Sequence, residues 1–389
     1  MTMPSFTHVA PPLRLFHGPE SLKALPGELK RIGARRAVLI CGNSLGRSPL
    51  LDRVGSALGE YCAGIHAGVR GHSPVESVEE AAAALHRLQA DAVVAVGGGS
   101  AIVTARAASI LAAEGKPASE LCTTVDADGR LHSPKLLAPK LPQFVLPTTP
   151  TTAIVKAGSA VFDTGRGKRL ALYDPKTRAH CVMIDPELIQ SAPPALVSSA
   201  GVNTLALAIE GLSSRVRNSL ADAALMHALR LAVRHLPDAV LKGETPDRAQ
   251  LMLAAVLCGQ GTDHTSGGIT MVLGHAIGAR QDVDNGMINA IVLPHVLRFN
   301  SEAAQEGMLK VTAALGVATG EAGATEPVID AVTAVFDVLG LPRRLRDVGV
   351  PRESLREIAD LAMEDWFLRG NPRPVTHAAE LHGILDEAW

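Results

Sequence analysis

Two stretches of small residues carry the clearest chemistry in this chain. Gly97-Gly98-Gly99-Ser100 ends the apolar run DAVVAV and opens AIVTARAASILAAEG, so it lies where a strand turns into a helix. Backbone N–H groups at a helix N-terminus attract phosphate, and residues without a Cβ let a pyrophosphate approach closely. The spacing is not GxGxxG, so the motif alone fits an ordinary tight turn as well. PTTPTT at 147–152 follows another strand-like run and adds hydroxyls from Thr148, Thr149 and Thr152. Together the two loops favour a nucleotide. Lys156 follows in AIVKAG, where an ammonium could bind a carboxylate or polarise a carbonyl, or simply be a solvated strand-end lysine. Asp263 and His264 stand side by side in GTDHTSGG. An imidazole beside a carboxylate suits a general acid, although adjacent residues do not share a helix face.

These loops need strands and helices to hold them. RRAVLICGNS reads as a buried strand running into a loop, VESVEEAAAALHRLQ (75–89) as an amphipathic helix, and DAVVAV as the next strand. AIVTARAASILAAEG (101–115) is a second helix and QFVLPTTP (143–150) a strand that Pro147 stops. Strands that are apolar throughout, in a β-α-β-α-β rhythm, predict a parallel sheet covered on both faces. Past CVMIDPEL (181–188) the pattern changes to long Ala/Leu-rich segments of helical period. The expected organisation is an α/β domain over 1–185 and a helical domain over 186–389.

Composition bounds the partners. A length of 389 residues exceeds one ordinary core, and 47% hydrophobic with 20% charged residues suits a globular protein. A formal net charge of −2 and 3% aromatics give no footprint for nucleic acid. No run approaches the ~18 apolar residues that span a bilayer, so no membrane partner is expected. The N-terminus lacks the basic-then-apolar order of a signal peptide. Cys41, Cys62, Cys122, Cys181 and Cys258 are scattered without a CxxC pair, which argues against a disulfide framework and makes the cytoplasm the expected compartment.

Over its whole length the chain resembles the iron-containing (group III) alcohol dehydrogenase superfamily. The resemblance rests on PheHisGly at 16–18, GGGS at 97–100, PTT at 147–149, IDPEL at 184–188 and SAGVNTLALAIEG at 199–211. GHAIGA at 274–279, LPHVLRFN at 293–300 and NPRPVT at 371–376 complete it. It implies an N-terminal Rossmann-like α/β domain and an all-α C-terminal domain, the dehydroquinate synthase-like, iron-type alcohol dehydrogenase fold. It also implies NAD(P) held by the GGGS and PTT loops, and a homodimer as the assembly to look for.

Two departures from the family pattern matter. The first strand usually ends in Thr-Asp, whose carboxylate holds the adenosine ribose; here Cys41-Gly42 is followed by Asn43 and Ser44. Losing that carboxylate removes repulsion against a 2'-phosphate, so Gly42, Asn43 and Ser44 lean the expectation toward NADP. In GGGSxxDxAK, Val103 takes the Asp position and Arg106 the Lys position. The second departure concerns the metal. Relatives hold a divalent ion with one Asp and three His; carried over residue by residue, those positions are Asn203, Leu207, Met271 and Asn285. Amide, thioether and hydrocarbon are poor or absent ligands for such an ion, so no metal is expected. Maleylacetate reductases are a partial precedent: they are regarded as metal-independent and have Asn at the Asp position, but keep histidines where this chain has Leu207 and Met271.

Without a metal, hydride transfer needs another proton donor or electrophile. His275, in GHAIGA, is similar to a family histidine near the nicotinamide that is not a metal ligand, and is the first candidate for acid/base work; a helix-packing histidine is the bland alternative. Asn203, Asn285 and Lys156 are candidates to orient the substrate oxygen, His264 a further acid, and Arg280 a grip for an acidic substrate. The expected activity is metal-independent, NAD(P)-dependent reduction of a small carbonyl or oxo acid, or oxidation of the alcohol. A non-redox lyase or isomerase, or a silent nucleotide-binding protein, are the rivals.

Overall fold

The computed structural model describes residues 5–126, 130–320 and 323–389. Two compact units result: Pro11–Ala192, and Pro193–Trp389 joined by residues 5–10. The division thus falls seven residues later than the sequence pattern placed it (192 − 185). Asp185 starts the short helix Pro186–Gln190, accepting N–H bonds from Glu187 and Leu188, and this turn stays with the α/β unit. The N-terminal segment goes to the helical unit. His8 stacks on His264 with ring centroids 3.7 Å apart, and His264 Nε2 lies 3.0 Å from the Val9 carbonyl oxygen.

In the α/β unit the chain forms β1 (Arg14–His17), β2 (Ala37–Gly42), α1 (Pro49–Leu58), β3 (Cys62–Val69), α2 (Val75–Arg87), β4 (Ala92–Gly97), α3 (Gly99–Glu114) and β5 (Gln143–Pro147). An antiparallel hairpin of β6 (Gly158–Asp163) and β7 (Lys168–Tyr173) precedes β8 (Ala179–Ile184). Six strands make one parallel sheet in the order β1-β8-β5-β4-β2-β3. Leu39 pairs with Val94, and Val94 with Phe144, so the apolar runs are in register across the centre. Leu39, Cys41, Val94, Val96, Phe144 and Leu146 are fully buried and form one cluster with Leu51, Val54 and Leu58 of α1. Alternate residues of a strand point to one face, which is why these positions share a side. Burial pushes the thiols of Cys41 and Cys181 up to about 11 and about 12, so both are inert packing groups. Beyond β2 the structure has a single helical turn, Asn43–Gly46, where the sequence suggested a loop.

The helical unit contains α4 (Pro194–Ser213), α5 (Ser219–Leu241), α6 (Thr245–Thr262), α7 (Ile269–Gln281), α8 (Asn285–Phe299), α9 (Gln305–Leu315), α10 (Thr325–Val338), α11 (Leu355–Ala362) and α12 (Ala378–Ala388). Among the described residues, α4 alone is long and apolar enough to cross a membrane, and 72% of its apolar window is buried inside the unit. It is the helix around which the site is built. Gly286, at the start of α8, packs on α4 so closely that a Cβ would stand 2.0 Å from the Ser199 carbonyl oxygen. Only a residue without a side chain permits that approach. It sets Asn285 beside the turn of α4 that carries Asn203.

Candidate active site

The glycine turn and the threonine loop meet in the α/β unit. Gly97 closes β4 at φ 140°, a conformation reserved for glycine, and its carbonyl accepts the Thr148 N–H at 3.0 Å. Gly98 caps α3, and a Cβ there would stand 3.0 Å from Thr149 Oγ1; one on Gly99 would stand 3.2 Å from Thr151 Oγ1. Two loops far apart in sequence therefore wall one cradle at the N-terminus of a sixteen-residue helix. That arrangement fits a dinucleotide pyrophosphate, which needs backbone N–H groups and no Cβ in its way.

Three residues support this cradle in roles that the sequence did not show. Thr151, rather than Thr152, caps the short turn Thr152–Ile154 by accepting the Ala153 N–H. Arg106 is fully buried and donates to the carbonyls of Ala153 and Gly158. It therefore holds the chain leaving the threonine loop from inside the fold. Ser73, in the loop after β3, donates from its hydroxyl to the Ser100 carbonyl at 3.2 Å. His72 and Ser73 both have positive φ, 57° and 51°, a strained pair of non-glycine residues at the edge of the cradle. Gly42 begins the turn Asn43–Gly46, leaving Asn43 and Ser44 exposed. Lys156 lies half-buried between the threonine loop and β6.

The second set of candidates gathers in the helical unit on α4, α7 and α8. Asn203 and Leu207 are one turn apart on α4, Met271 and His275 one turn apart on α7, and Asn285 opens α8. Asn289, buried without exposure, ties them together. One end of its side-chain amide lies 3.1 Å from the carbonyl oxygens of both Thr270 and Asn285, and the other end lies 3.0 Å from Asn203 Oδ1. Asn289 also lies 3.9 Å from Met271 Sδ. Part of the hydrogen-bonding capacity that the sequence assigned to Asn203 for substrate is therefore spent on a buried neighbour.

His275 Nδ1 lies 2.8 Å from Asp365 Oδ2, both side chains being largely buried. Asp365 Oδ1 accepts the Phe367 N–H at 3.0 Å, and the Phe367 ring packs 5.6 Å from the imidazole. Phe367 also closes on Gly267, whose Cβ would meet it at 2.7 Å. Glu210, from the IEG of α4, caps the helix that carries His275: Gly268 and Thr270 donate their N–H groups to it at 2.7 and 2.6 Å. Complete burial pushes its carboxyl up to about 7, against the pull of those donors. Two candidates are placed elsewhere. His264 stacks on the N-terminal segment, and Arg280 donates to Glu357 at 2.6 Å, which accounts for its charge without a substrate.

Of the residues that the sequence reading missed, Glu210 left a trace, a lone carboxylate in an apolar helix. Asp365 left none, because its partner is ninety residues away.

The chain thus has a parallel α/β unit with a glycine cradle, followed by a helical unit bearing a buried imidazole–carboxylate pair. Family models agree: residues 12–186 match the iron-containing alcohol dehydrogenases, and 197–389 the C-terminal part of the Fe-containing alcohol dehydrogenase family. The chain belongs to that family, and is an oxidoreductase of the kind that acts on alcohols and aldehydes. It is 29% identical to the lactaldehyde reductase of Escherichia coli strain K12 over 378 residues, 96% of this chain and 97% of that one. It is 31% identical to maleylacetate reductase 2 of Cupriavidus pinatubonensis over 367 residues, 93% of this chain and 90% of that one. The crystal structure of a 1,3-propanediol oxidoreductase superposes with a TM-score of 0.90 at 26% identity, covering 99% of this chain and 100% of that one.

The family's iron would need carboxylate or imidazole ligands from these helices. At the positions that the resemblance assigns to metal ligands stand Asn203, Leu207, Met271 and Asn285, and Asn289 lies 3.0 Å from Asn203. Among the described residues no group of three or more His, Cys, Asp or Glu is placed to hold an ion. Such a donor set, without carboxylate or imidazole, does not fit a divalent metal.

Proposed function

We propose that the chain is a metal-independent, NAD(P)-dependent oxidoreductase that interconverts a small carbonyl compound or oxo acid and its alcohol. Two observations support this reading: a glycine cradle in the α/β unit, and in the helical unit Asn203, Leu207, Met271 and Asn285 where the resemblance places metal ligands. When bound, the nicotinamide supplies or accepts the hydride. The chain's own residues do the rest. Gly97, Gly98, Gly99 and Ser100, with Thr148, Thr149 and Thr152, hold the pyrophosphate through N–H groups and hydroxyls. Gly42, Asn43 and Ser44 leave room and no negative charge where a 2'-phosphate would sit, which favours NADP.

In relatives a cation offsets the charge that develops on the substrate oxygen. Here His275 delivers a proton to that oxygen during reduction and removes it during oxidation. Asn203 and Asn285 contribute neutral amide dipoles, worth less than a cation but fixed in place by Asn289 and by the α8 N-terminus. Leu207, Met271 and Phe367 keep the surroundings dry, which strengthens each polar contact. The test is titration of chelator-treated protein with NADPH and NADH, followed by turnover of an aldehyde, ketone and oxo-acid panel. Tight binding of either nucleotide with chelator-resistant turnover is expected. Binding of neither nucleotide overturns the reading.

A further inference from the structure

Asp365 was not among the candidates, yet its carboxylate faces the imidazole of His275. Its two oxygens have different tasks. Oδ1 accepts the Phe367 N–H at 3.0 Å and caps the turn Trp366–Gly370, while Oδ2 faces His275 Nδ1 at 2.8 Å. A carboxylate anchored by a main-chain N–H has one orientation, and it can only accept from the imidazole. The pair is largely buried, where such a bond is stronger than in water.

We propose that Asp365 is the positioning residue of His275: it holds the proton on Nδ1 and so makes Nε2 the nitrogen that exchanges the substrate proton. This rests on the oxidoreductase reading above. During reduction the carbonyl carbon gains a hydride, two electrons and one hydrogen, from a reduced nicotinamide dinucleotide. The carbonyl oxygen takes the Nε2 proton, and imidazolium becomes neutral imidazole with Nδ1–H still bonded to Asp365. Solvent then returns one proton to Nε2. The carboxylate stays ionised throughout and stabilises the imidazolium state.

The design of the turn supplies a clean variant. In Asp365→Asn the amide oxygen keeps the cap on Phe367, since Asn serves as well as Asp at such a position. The amide nitrogen then faces Nδ1 and donates to it, which forces the proton onto Nε2. Nitrogen-15 NMR of histidine-labelled full-length protein is expected to show the Nδ1–H tautomer for neutral His275 in the parent and the Nε2–H tautomer in the variant. Thermal melting should be unchanged. Turnover should fall about 100-fold or more with little change in KM, Asp365→Glu should recover part of it, and Asp365→Asn should cost nothing further in a His275→Ala background.

An unchanged tautomer overturns the proposal, as does an equal loss in both backgrounds; either outcome leaves Asp365 a turn cap only. The tautomer measurement needs neither cofactor nor substrate. Failure of the oxidoreductase reading, seen as absent nucleotide binding, is therefore distinguishable from failure of this one.

Discussion

Glu210 accepts the Gly268 N–H at 2.7 Å across 58 residues of chain, so a side chain of α4 caps the helix that presents Met271 and His275. It is a carboxylate in a fully buried position whose proton affinity is raised to about 7. An unfolded glutamate titrates near 4.5. The folded chain therefore holds a proton that the unfolded chain releases first. The associated stabilisation is complete below pH 4.5 and is lost as pH rises through 7.

A shift of that size corresponds to about 3 kcal/mol. Glu210→Gln mimics the protonated acid and has no such slope. Denaturant titrations of both proteins from pH 4.5 to 8 should show the parent losing about 3 kcal/mol relative to the variant. Parallel curves would falsify the assignment of this titration to Glu210.

The contact of Gly286 with Ser199 makes a second test. Gly286→Ala places a methyl 2.0 Å from a main-chain oxygen, which no side-chain movement relieves. The α4–α8 packing must open, at a cost of about 3 kcal/mol. The urea midpoint should fall accordingly, and the start of α8 should move away from α4. A neutral substitution would mean that α8 is not seated as described.

The proposed preference for NADP rests on the residues at the end of β2. Gly42→Asp restores a carboxylate that bonds the ribose hydroxyls of NADH and repels the 2'-phosphate of NADPH. Its preference, measured as the ratio of dissociation constants, should move toward NADH by roughly tenfold or more, about 1.4 kcal/mol per decade. If the ratio does not move, Gly42 merely ends a strand.

The metal question has a constructive test. Activity of the parent should be indifferent to chelator and to added iron or zinc. Replacing the quartet (Asn203→Asp, Leu207→His, Met271→His, Asn285→His) restores one carboxylate and three imidazoles on the three helices that pack together here. Elemental analysis should then find about one divalent ion per chain, at the usual tetrahedral or near-tetrahedral sites such ligands form. Stoichiometric metal in the parent itself would refute the reading of these four positions.

Local sequence determined a large part of this protein. The central strands β2, β4 and β5, the helices α2 and α3, and the glycine turn between β4 and α3 were all legible. Each depends on neighbours within a dozen residues: apolar runs, helical period, a turn that needs no Cβ. The expectation of no metal rests on residue type at positions 203, 207, 271 and 285, since residue type decides whether a side chain can be a ligand. Edge strand β3, reading CAGIHAGV, was not recognised, since its half-exposed residues show neither a continuous apolar run nor clean alternation. The strained His72–Ser73 loop behind the cradle was missed as well.

Only the tertiary structure decided what each candidate touches. His275 meets Asp365 across 90 residues, Asn203 shares a hydrogen bond with Asn289 across 86, and His264 turns to Val9 across 255. Such pairings are fixed by how helices pack, and packing is decided by the whole set of apolar faces and close-approach glycines at once. No window of sequence contains that information. It made His264 a support for the N-terminal segment, gave Arg280 a partner in Glu357, and brought Asp365 to the imidazole.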